Sequence, residues 1–114
     1  MYDIHDAPVF QATFDLLKEF HIIRNKFPKT EKYSLGEKIE ESLLAIIIAI
    51  IEAGRSKKEM KLPPIERALS QKDKAQVLFR LAFEIRVVSD KQYETSIEQL
   101  QKIGRMLGAW RNSI

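Results

Sequence analysis

The sequence predicts an all-α protein: a single up-down-up-down antiparallel four-helix bundle spanning residues 1–114. Apolar residues recur at spacings of three and four in four separate segments, which is typical of amphipathic helices, and no segment shows the alternation of a strand. Glycine and proline residues fall between these segments, where they interrupt regular structure. The short connections favour antiparallel packing of consecutive helices, and 114 residues are enough to bury one core.

The first helix is predicted to begin at Pro8, because proline suits the first turn, where its missing N–H leaves no partner unsatisfied. Pro28 predicts the other end near Phe27, since the residue before a proline avoids the helical conformation. Its buried stripe is predicted to contain Val9, Thr13, Leu16, Phe20, Ile23 and Phe27.

Ser34 and Glu37 have the spacing of a capping box and predict the start of the second helix, and Gly54 predicts its end. One face is predicted to bury Leu35, Ile39, Leu43, Ile46 and Ile50. Apolar residues also cover most of the remaining circumference, so this helix either lies unusually deep or packs against another subunit. We expect self-association through a second set of side chains, namely Leu44, Ile47, Ile48 and Ile51.

Pro63 and Pro64 predict the start of the third helix. Lys72 and Arg86 fall in the same angular sector as its apolar residues, so they either extend along the ends of the core face or point into an interface or channel. The predicted core positions are Ile65, Ala68, Leu69, Ala75, Leu78, Phe79, Ala82, Ile85 and Val88.

The fourth helix is predicted to begin with a second capping box, formed by Ser89 and Gln92. Gly104 and Gly108 lie one turn apart on a similar face, where the lack of a side chain would let a neighbouring helix approach closely. Its core stripe is predicted to contain Tyr93, Ile97, Leu100, Ile103 and Leu107.

Few of the residues on which enzymes and metal sites depend are present. The chain has no cysteine, which excludes disulfides and thiolate metal ligands. The two histidines, His5 and His21, do not follow a glutamate by three residues, as the di-iron bundles require. No nucleophile lies at a recognisable spacing from a base. We therefore expect a binding protein with no catalytic residue, no metal and no cofactor.

The predicted location is the cytoplasm, with no membrane partner. The longest apolar run, residues 43–51, is shorter than the roughly 20 residues that a membrane helix needs. The acidic start of the chain also lacks the basic and then apolar layout of a signal peptide.

Charge is unevenly distributed along the chain, whose net charge is +3. Residues 1–54 carry six Lys/Arg and nine Asp/Glu, a balance of −3, whereas residues 55–114 carry thirteen and seven, a balance of +6. Such asymmetry indicates either a basic surface for an acidic partner or solvated helix faces. The predicted nucleic-acid-binding residues are Arg55, Lys57, Lys58 and Lys61 after the second helix and Arg80, Lys102 and Arg105 on the third and fourth.

These cations would form a ridge able to follow phosphates if the bundle brings them together. Three aromatic residues, Tyr2, Tyr33 and Trp110, could stack on bases. Trp110 fits a second interpretation better, that of a core or interface anchor at the end of the fourth helix.

Several short motifs resemble one known family. They are the stretch Phe27-Pro28-Lys29-Thr30-Glu31-Lys32-Tyr33-Ser34-Leu35-Gly36, the corner Ala53-Gly54-Arg55, the pair Lys61-Leu62, Arg80, and the ending Ile103-Gly104-Arg105-Met106-Leu107-Gly108-Ala109-Trp110. Together they are similar to the four-helix proteins linked to ribosomal intervening sequences and to the accessory variability determinants of diversity-generating retroelements. The ending is the most specific motif and is closer to the accessory determinants. The resemblance covers about residues 8 to 111.

The resemblance implies a homopentameric barrel of bundles that associates with a reverse transcriptase and with its template RNA, as structured RNA or an RNA/DNA hybrid. It implies an accessory role in error-prone complementary-DNA synthesis, without polymerase activity of its own. Arg55, Arg80 and Arg105 match the basic positions of the family, whereas the three lysines of the connection are predicted from charge density alone. The alternative is an oligomeric protein-interaction scaffold of the intervening-sequence type, without specific RNA binding.

Overall fold

A computed structural model describes residues 3–114, and within this range every regular element is helical. Two short 3-10 turns precede the first and third long helices, and one short α-helix lies between the first two. In chain order the elements are the turn Ile4–Asp6, α1 Pro8–Asn25, α2 Lys29–Lys32, α3 Leu35–Arg55, the turn Lys58–Met60, α4 Leu62–Glu84 and α5 Asp90–Asn112.

The four long helices pack in the order in which they follow one another along the chain. α3 lies between α1 and α4, α4 contacts α5, and α5 closes the arrangement against α1. The molecule measures 44 × 20 × 19 Å, so its long axis follows helices that are themselves about 27–35 Å long. The prediction of an all-α, four-helix fold is confirmed.

The core is a continuous apolar cluster to which all four long helices contribute. Phe20 lies at its centre and makes edge-to-face contacts with Phe79, at 5.3 Å between ring centres, and with Phe27, at 5.7 Å. Such pairs stabilise a core by more than their buried area alone provides. The largest fully buried side chains are Phe20, Phe79, Leu16, Ile39, Leu43, Ile46, Ile50, Ile65, Leu100, Ile103 and Leu107.

Two local predictions of helix boundaries are confirmed. Pro8 occupies the first turn of α1. At the start of α5, the Ser89 hydroxyl accepts a hydrogen bond from the Gln92 amide at 3.1 Å, and the Gln92 side chain accepts one from the Ser89 amide at 2.9 Å. This reciprocal pair satisfies two backbone donors that have no partner within the helix.

The predicted capping box at Ser34 is wrong. Its hydroxyl donates a hydrogen bond to the Thr30 carbonyl at 2.8 Å and makes no capping bond to α3. The reason is that α2 ends two residues before Ser34, so the Thr30 carbonyl of that short helix lies within reach of the hydroxyl.

Gly54 does not end the second long helix, which continues to Arg55. A Cβ atom at Gly54 would lie 2.5 Å from Cγ1 of Ile4, so the glycine allows the N-terminal turn to pack directly on α3. Its role is close packing and not a left-handed helix end.

Of the two alternatives for Lys72, the structure shows the first, an extended side chain lying across the core face. It is 15% exposed and crosses Gly104, where a Cβ atom would lie 2.9 Å from Cε of Lys72. Gly104 therefore accommodates a lysine stem, whereas nothing lies within 4 Å of a Cβ at Gly108. Arg86 lies beyond α4, exposed and with a φ of 62°, and has no place in the core face.

The prediction that Ile85 belongs to the core is also wrong. It follows the last residue of α4 and is exposed, because it continues the same side of the helix as Val77 and Leu81, which are exposed as well.

Candidate nucleic-acid interface

One end of the bundle gathers the N-terminal turn, the connection between α3 and α4, and the last turns of α5. Residues from all three segments, including Ile4, Gly54, Lys61 and Trp110, line a single cavity there. We call this part of the molecule the basic end, since residues 55–61 carry four cations and one anion. It contains the densest group of predicted nucleic-acid-binding residues.

Three of those residues, Arg55, Lys57 and Lys58, have exposed side chains. Arg55 lies in the last turn of α3, where a positive charge interacts favourably with the helix dipole. It also lies near Asp3, whose pKa is lowered mainly by hydrogen bonds with His5 and to a smaller extent by the charge of Arg55. Lys57 and Lys58 follow after Ser56 and present their charge to solvent.

Lys61 has a structural role at the same end. Its ammonium group donates a hydrogen bond to the Ala53 carbonyl at 2.7 Å, close to the C-terminus of α3. The same nitrogen lies 6.0 Å from the centre of the Trp110 ring, within the range of a cation–π interaction. Lys61 thus links α3 to α5, and only part of its hydrogen-bonding capacity remains for a ligand.

Arg80 is not close to the basic end. It lies 19 residues after Lys61 on α4, which corresponds to about 28 Å along the helix axis. Its Nε donates to the Glu84 carboxylate at 2.6 Å, and this hydrogen bond raises the pKa of Arg80. The structure therefore does not bring Arg80 together with the connection within one chain.

Lys102 and Arg105 lie on the exposed surface of α5, about 15 Å and 10 Å along the helix from its last residue, Asn112. Within residues 3–114 neither side chain forms an ion pair. They extend the positive surface from the basic end along α5. Arg111, which the sequence analysis did not single out, adds a cation in the last turn, although Glu66 lies 3.6 Å from it.

The aromatic residues are far apart. Tyr33 is exposed next to α2, at the opposite end of the bundle. Trp110 is partly buried against the core and lines the cavity at the basic end, as expected for an anchor. Tyr2 lies outside the described residues.

The residues predicted to form an oligomer interface differ in burial. Leu44 and Ile48 are 43% and 63% exposed, whereas Ile47 is 7% exposed and belongs to the core of this chain. Ile51 is intermediate. Phe14 of the neighbouring helix α1 is also exposed, and we call the exposed residues Phe14, Leu44 and Ile48 the α1–α3 apolar face.

A second exposed apolar surface was not predicted from the sequence. Val77, Leu81 and Ile85 follow one another at intervals of four residues on the outer side of α4 and its end. We call it the α4 stripe. The spacing of four residues is visible in the sequence. Distinguishing this exposed stripe from the core stripe of α4 requires comparing the directions in which the two sets of side chains leave the helix axis.

The described residues were also compared with the requirements of a metal site and of a membrane-spanning helix. Residues 3–114 contain no group of three or more His, Asp or Glu side chains placed to hold a metal ion. None of the described helices is both long and apolar enough to cross a membrane.

The fold and the exposed cations define a class: a small four-helix bundle whose surface offers sites for binding. A family model described as bAvd-like matches residues 9–114, so the chain belongs to the bAvd-like family. This match confirms the resemblance to the accessory variability determinants. The comparison with curated proteins found no significant match.

Proposed function

We propose that this chain is a non-catalytic accessory subunit of a diversity-generating retroelement, acting in the cytoplasm. It binds the reverse transcriptase and the template RNA and supports mutagenic complementary-DNA synthesis. The observation that carries this proposal is the family match, which extends over residues 9–114.

The basic end supports RNA binding as part of this function. Arg55, Lys57 and Lys58 are exposed at the tip, and Lys102 and Arg105 continue the positive surface along α5. Cations arranged over a surface bind phosphates and release counterions, which gives affinity without base contacts. The expected ligand is structured RNA or an RNA/DNA hybrid, because backbone contacts of this kind recognise shape.

The two exposed apolar surfaces support self-association. A head-to-tail ring needs two different surfaces on each subunit, one meeting the other on the next copy. The α1–α3 apolar face and the α4 stripe supply two such surfaces on different helices. Five copies, the number implied by the resemblance, would carry a net charge of +15, which would concentrate the modest charge of one chain into a stronger field.

RNA binding is tested with a pair of charge reversals. The double variant Lys57→Glu/Lys58→Glu removes the two most exposed lysines of the basic end, and leaves Lys61 in place because of its structural bond to Ala53. Lys38→Glu/Lys91→Glu is the matched control: both lysines are exposed at the other end, and glutamate is favourable in the first turn of α3 and α5. Each pair lowers the net charge by four, from +3 to −1.

Fluorescence anisotropy with a labelled RNA hairpin and with an RNA/DNA hybrid measures the result. The first pair should lose at least about tenfold in affinity and the control much less, because only the first removes contacts to phosphate. Equal losses in both pairs would show that net charge alone matters, and no RNA binding by the wild type at low salt would remove this part of the proposal.

The second candidate is a protein-interaction scaffold without specific RNA binding. It is favoured by the two exposed apolar surfaces and by the internal pairing of Arg80 and Lys61, which leaves fewer cations for phosphate. It predicts the oligomer but no difference between the two charge-reversal pairs.

The polymerase partner is tested by reconstitution. The chain should co-elute with the reverse transcriptase of its own retroelement, and complementary-DNA synthesis on the template RNA should require it. Synthesis that proceeds equally well without the chain would contradict the accessory role. A reverse transcriptase gene and a pair of near-repeats beside the gene would identify the enzyme and the RNA to use.

A further inference from the structure

A cavity of about 500 Å³ lies at the basic end and opens to solvent. Its wall is formed by the N-terminal turn on one side and by the last turns of α5 on the other. Most of the wall consists of apolar atoms, and the side chains that matter here are Ile4, Pro8, Met106, Ala109 and Trp110. The volume is within the range of roughly 300–1,000 Å³ that is typical of binding sites.

Among the described residues, Lys61 is the one cation that lines this cavity, and one of its three N–H donors is bonded to the Ala53 carbonyl. Lys57 and Lys58 precede it in the same connection and are exposed, as is Arg55 at the end of α3. The cavity is apolar, and the connection that supplies Lys61 carries three further exposed cations and one anion. These features favour a ligand with both apolar groups and several negative charges.

The chemistry of the wall distinguishes among anionic ligands. A nucleotide base would bring polar edges into a space that offers few partners, and buried polar groups without hydrogen bonds are costly. A small amphiphilic acid would use Lys61 but not the other exposed cations of the same connection. An acidic peptide with large apolar side chains uses both, because the side chains fill the cavity and the flanking carboxylates meet the lysines.

We propose that this cavity is the docking site for an acidic segment of a partner protein, which inserts one or two large apolar side chains against Trp110 and Met106. The inference goes beyond the proposed function, since it requires neither RNA binding nor a retroelement. Peptide and RNA would compete for Lys57 and Lys58, but only the peptide needs the cavity.

Trp110 is the only tryptophan in the chain, so its fluorescence reports directly on the site. The wild-type protein is titrated with a capped peptide that has Leu-Phe at its centre and three acidic residues on each side. Two control peptides replace Leu-Phe by Ser-Ser, or the acidic residues by their amides. Each control should bind at least about tenfold more weakly, since the first loses the burial of two large apolar side chains and the second the charge complementarity.

A filled cavity provides the independent test. Ala109→Phe places a ring at the wall, whereas Ser70→Phe makes a similar change at an exposed position of α4 outside the cavity. Ala109→Phe should weaken the Leu-Phe peptide at least about tenfold and leave RNA affinity unchanged, and Ser70→Phe should change neither. Circular dichroism checks that both variants fold, and light scattering checks their mass.

Four results would overturn the proposal. The first is binding of either control peptide as tight as that of the acidic Leu-Phe peptide, and the second is no binding of the acidic Leu-Phe peptide. The third is a tryptophan signal from single-stranded oligouridylate that is lost in Ala109→Phe, which would assign the cavity to nucleic acid. The fourth is a change in mass in Ala109→Phe alone, which would assign it to contacts between copies of this chain.

Discussion

Replacing Gly54 by alanine should separate the effect of packing from that of helix propensity. Gly54 lies inside α3, and a Cβ atom there would be 2.5 Å from Cγ1 and 2.8 Å from Cβ of Ile4. Because one of these atoms is attached directly to the Ile4 backbone, rotation of the side chain cannot relieve the contact. Alanine therefore forces the N-terminal turn away from α3, and Ile4, which is 8% exposed in the native structure, loses its burial.

The magnitude follows from two opposing terms. Burying an isoleucine contributes about 1.5–3 kcal/mol, most of which is lost when the turn moves away. Alanine returns at most about 1 kcal/mol through its higher helix propensity, and less in the last turn of a helix. We expect Gly54→Ala to lower the free energy of unfolding by about 1–2 kcal/mol.

Gly108→Ala is the matched control, because nothing lies within 4 Å of a Cβ atom at that position of α5. It should raise the free energy of unfolding by about 0.5–1 kcal/mol. Urea unfolding followed by circular dichroism measures both variants, at one protein concentration since an oligomer is stabilised by mass action. Equal stabilisation by the two alanines would refute the reasoning, because it would mean that Ile4 does not restrict position 54.

Three further experiments test the local interpretations. Arg86→Gly should stabilise the fold by about 0.5–1 kcal/mol, because Arg86 has a φ of 62° that suits glycine; an unchanged urea midpoint would contradict this. Ser89→Ala should cost about 1 kcal/mol and Ser34→Ala less, since only Ser89 caps a helix, and equal losses would argue against the difference. Leu44→Glu/Ile48→Glu should lower the mass measured by light scattering while helicity is retained, and an unchanged mass would exclude the α1–α3 apolar face from the interface.

Most features that depend on neighbours in sequence were predicted correctly; Ser34 is an exception, because its hydroxyl bonds to the Thr30 carbonyl four residues earlier. Pro8 favours the start of a helix because its ring fixes the backbone φ angle. The side chains of Ser89 and Gln92 accept hydrogen bonds from each other's backbone amides within one turn. The periodic spacing of apolar residues likewise identifies which helices exist, because burial of one face follows from a period of 3.6 residues. The family resemblance rests on the same kind of short motif and was confirmed by the match.

The other features that were missed depend on residues distant in sequence or on tertiary packing. Gly54 looks like a helix end until Ile4, fifty residues earlier, is placed against it. Lys61 looks like a free cation until the end of α3 brings the Ala53 carbonyl within 2.7 Å. Ile47 looks equivalent to Ile48, and only the packing of the neighbouring helices makes one buried and the other exposed. In each case the sequence pattern that suggested a role involves near neighbours, whereas the contact that determines the role comes from tertiary packing.

The seven cations predicted to bind nucleic acid also differ in their partners, because some are paired within the chain and others are exposed to solvent. Arg80 is paired with Glu84, so the two charges largely cancel for a distant phosphate, whereas Lys57 is exposed and has no ion pair within the described residues. Each phosphate contact adds about −0.9 to the slope of log affinity against log salt for a duplex. Lys57→Gln should therefore flatten the slope measured with an RNA/DNA hybrid by about one unit, and Arg80→Gln should leave it nearly unchanged. An equal change in both variants would mean that the assembly brings Arg80 of one copy to the RNA held by another, so the binding surface would belong to the oligomer and not to the single chain.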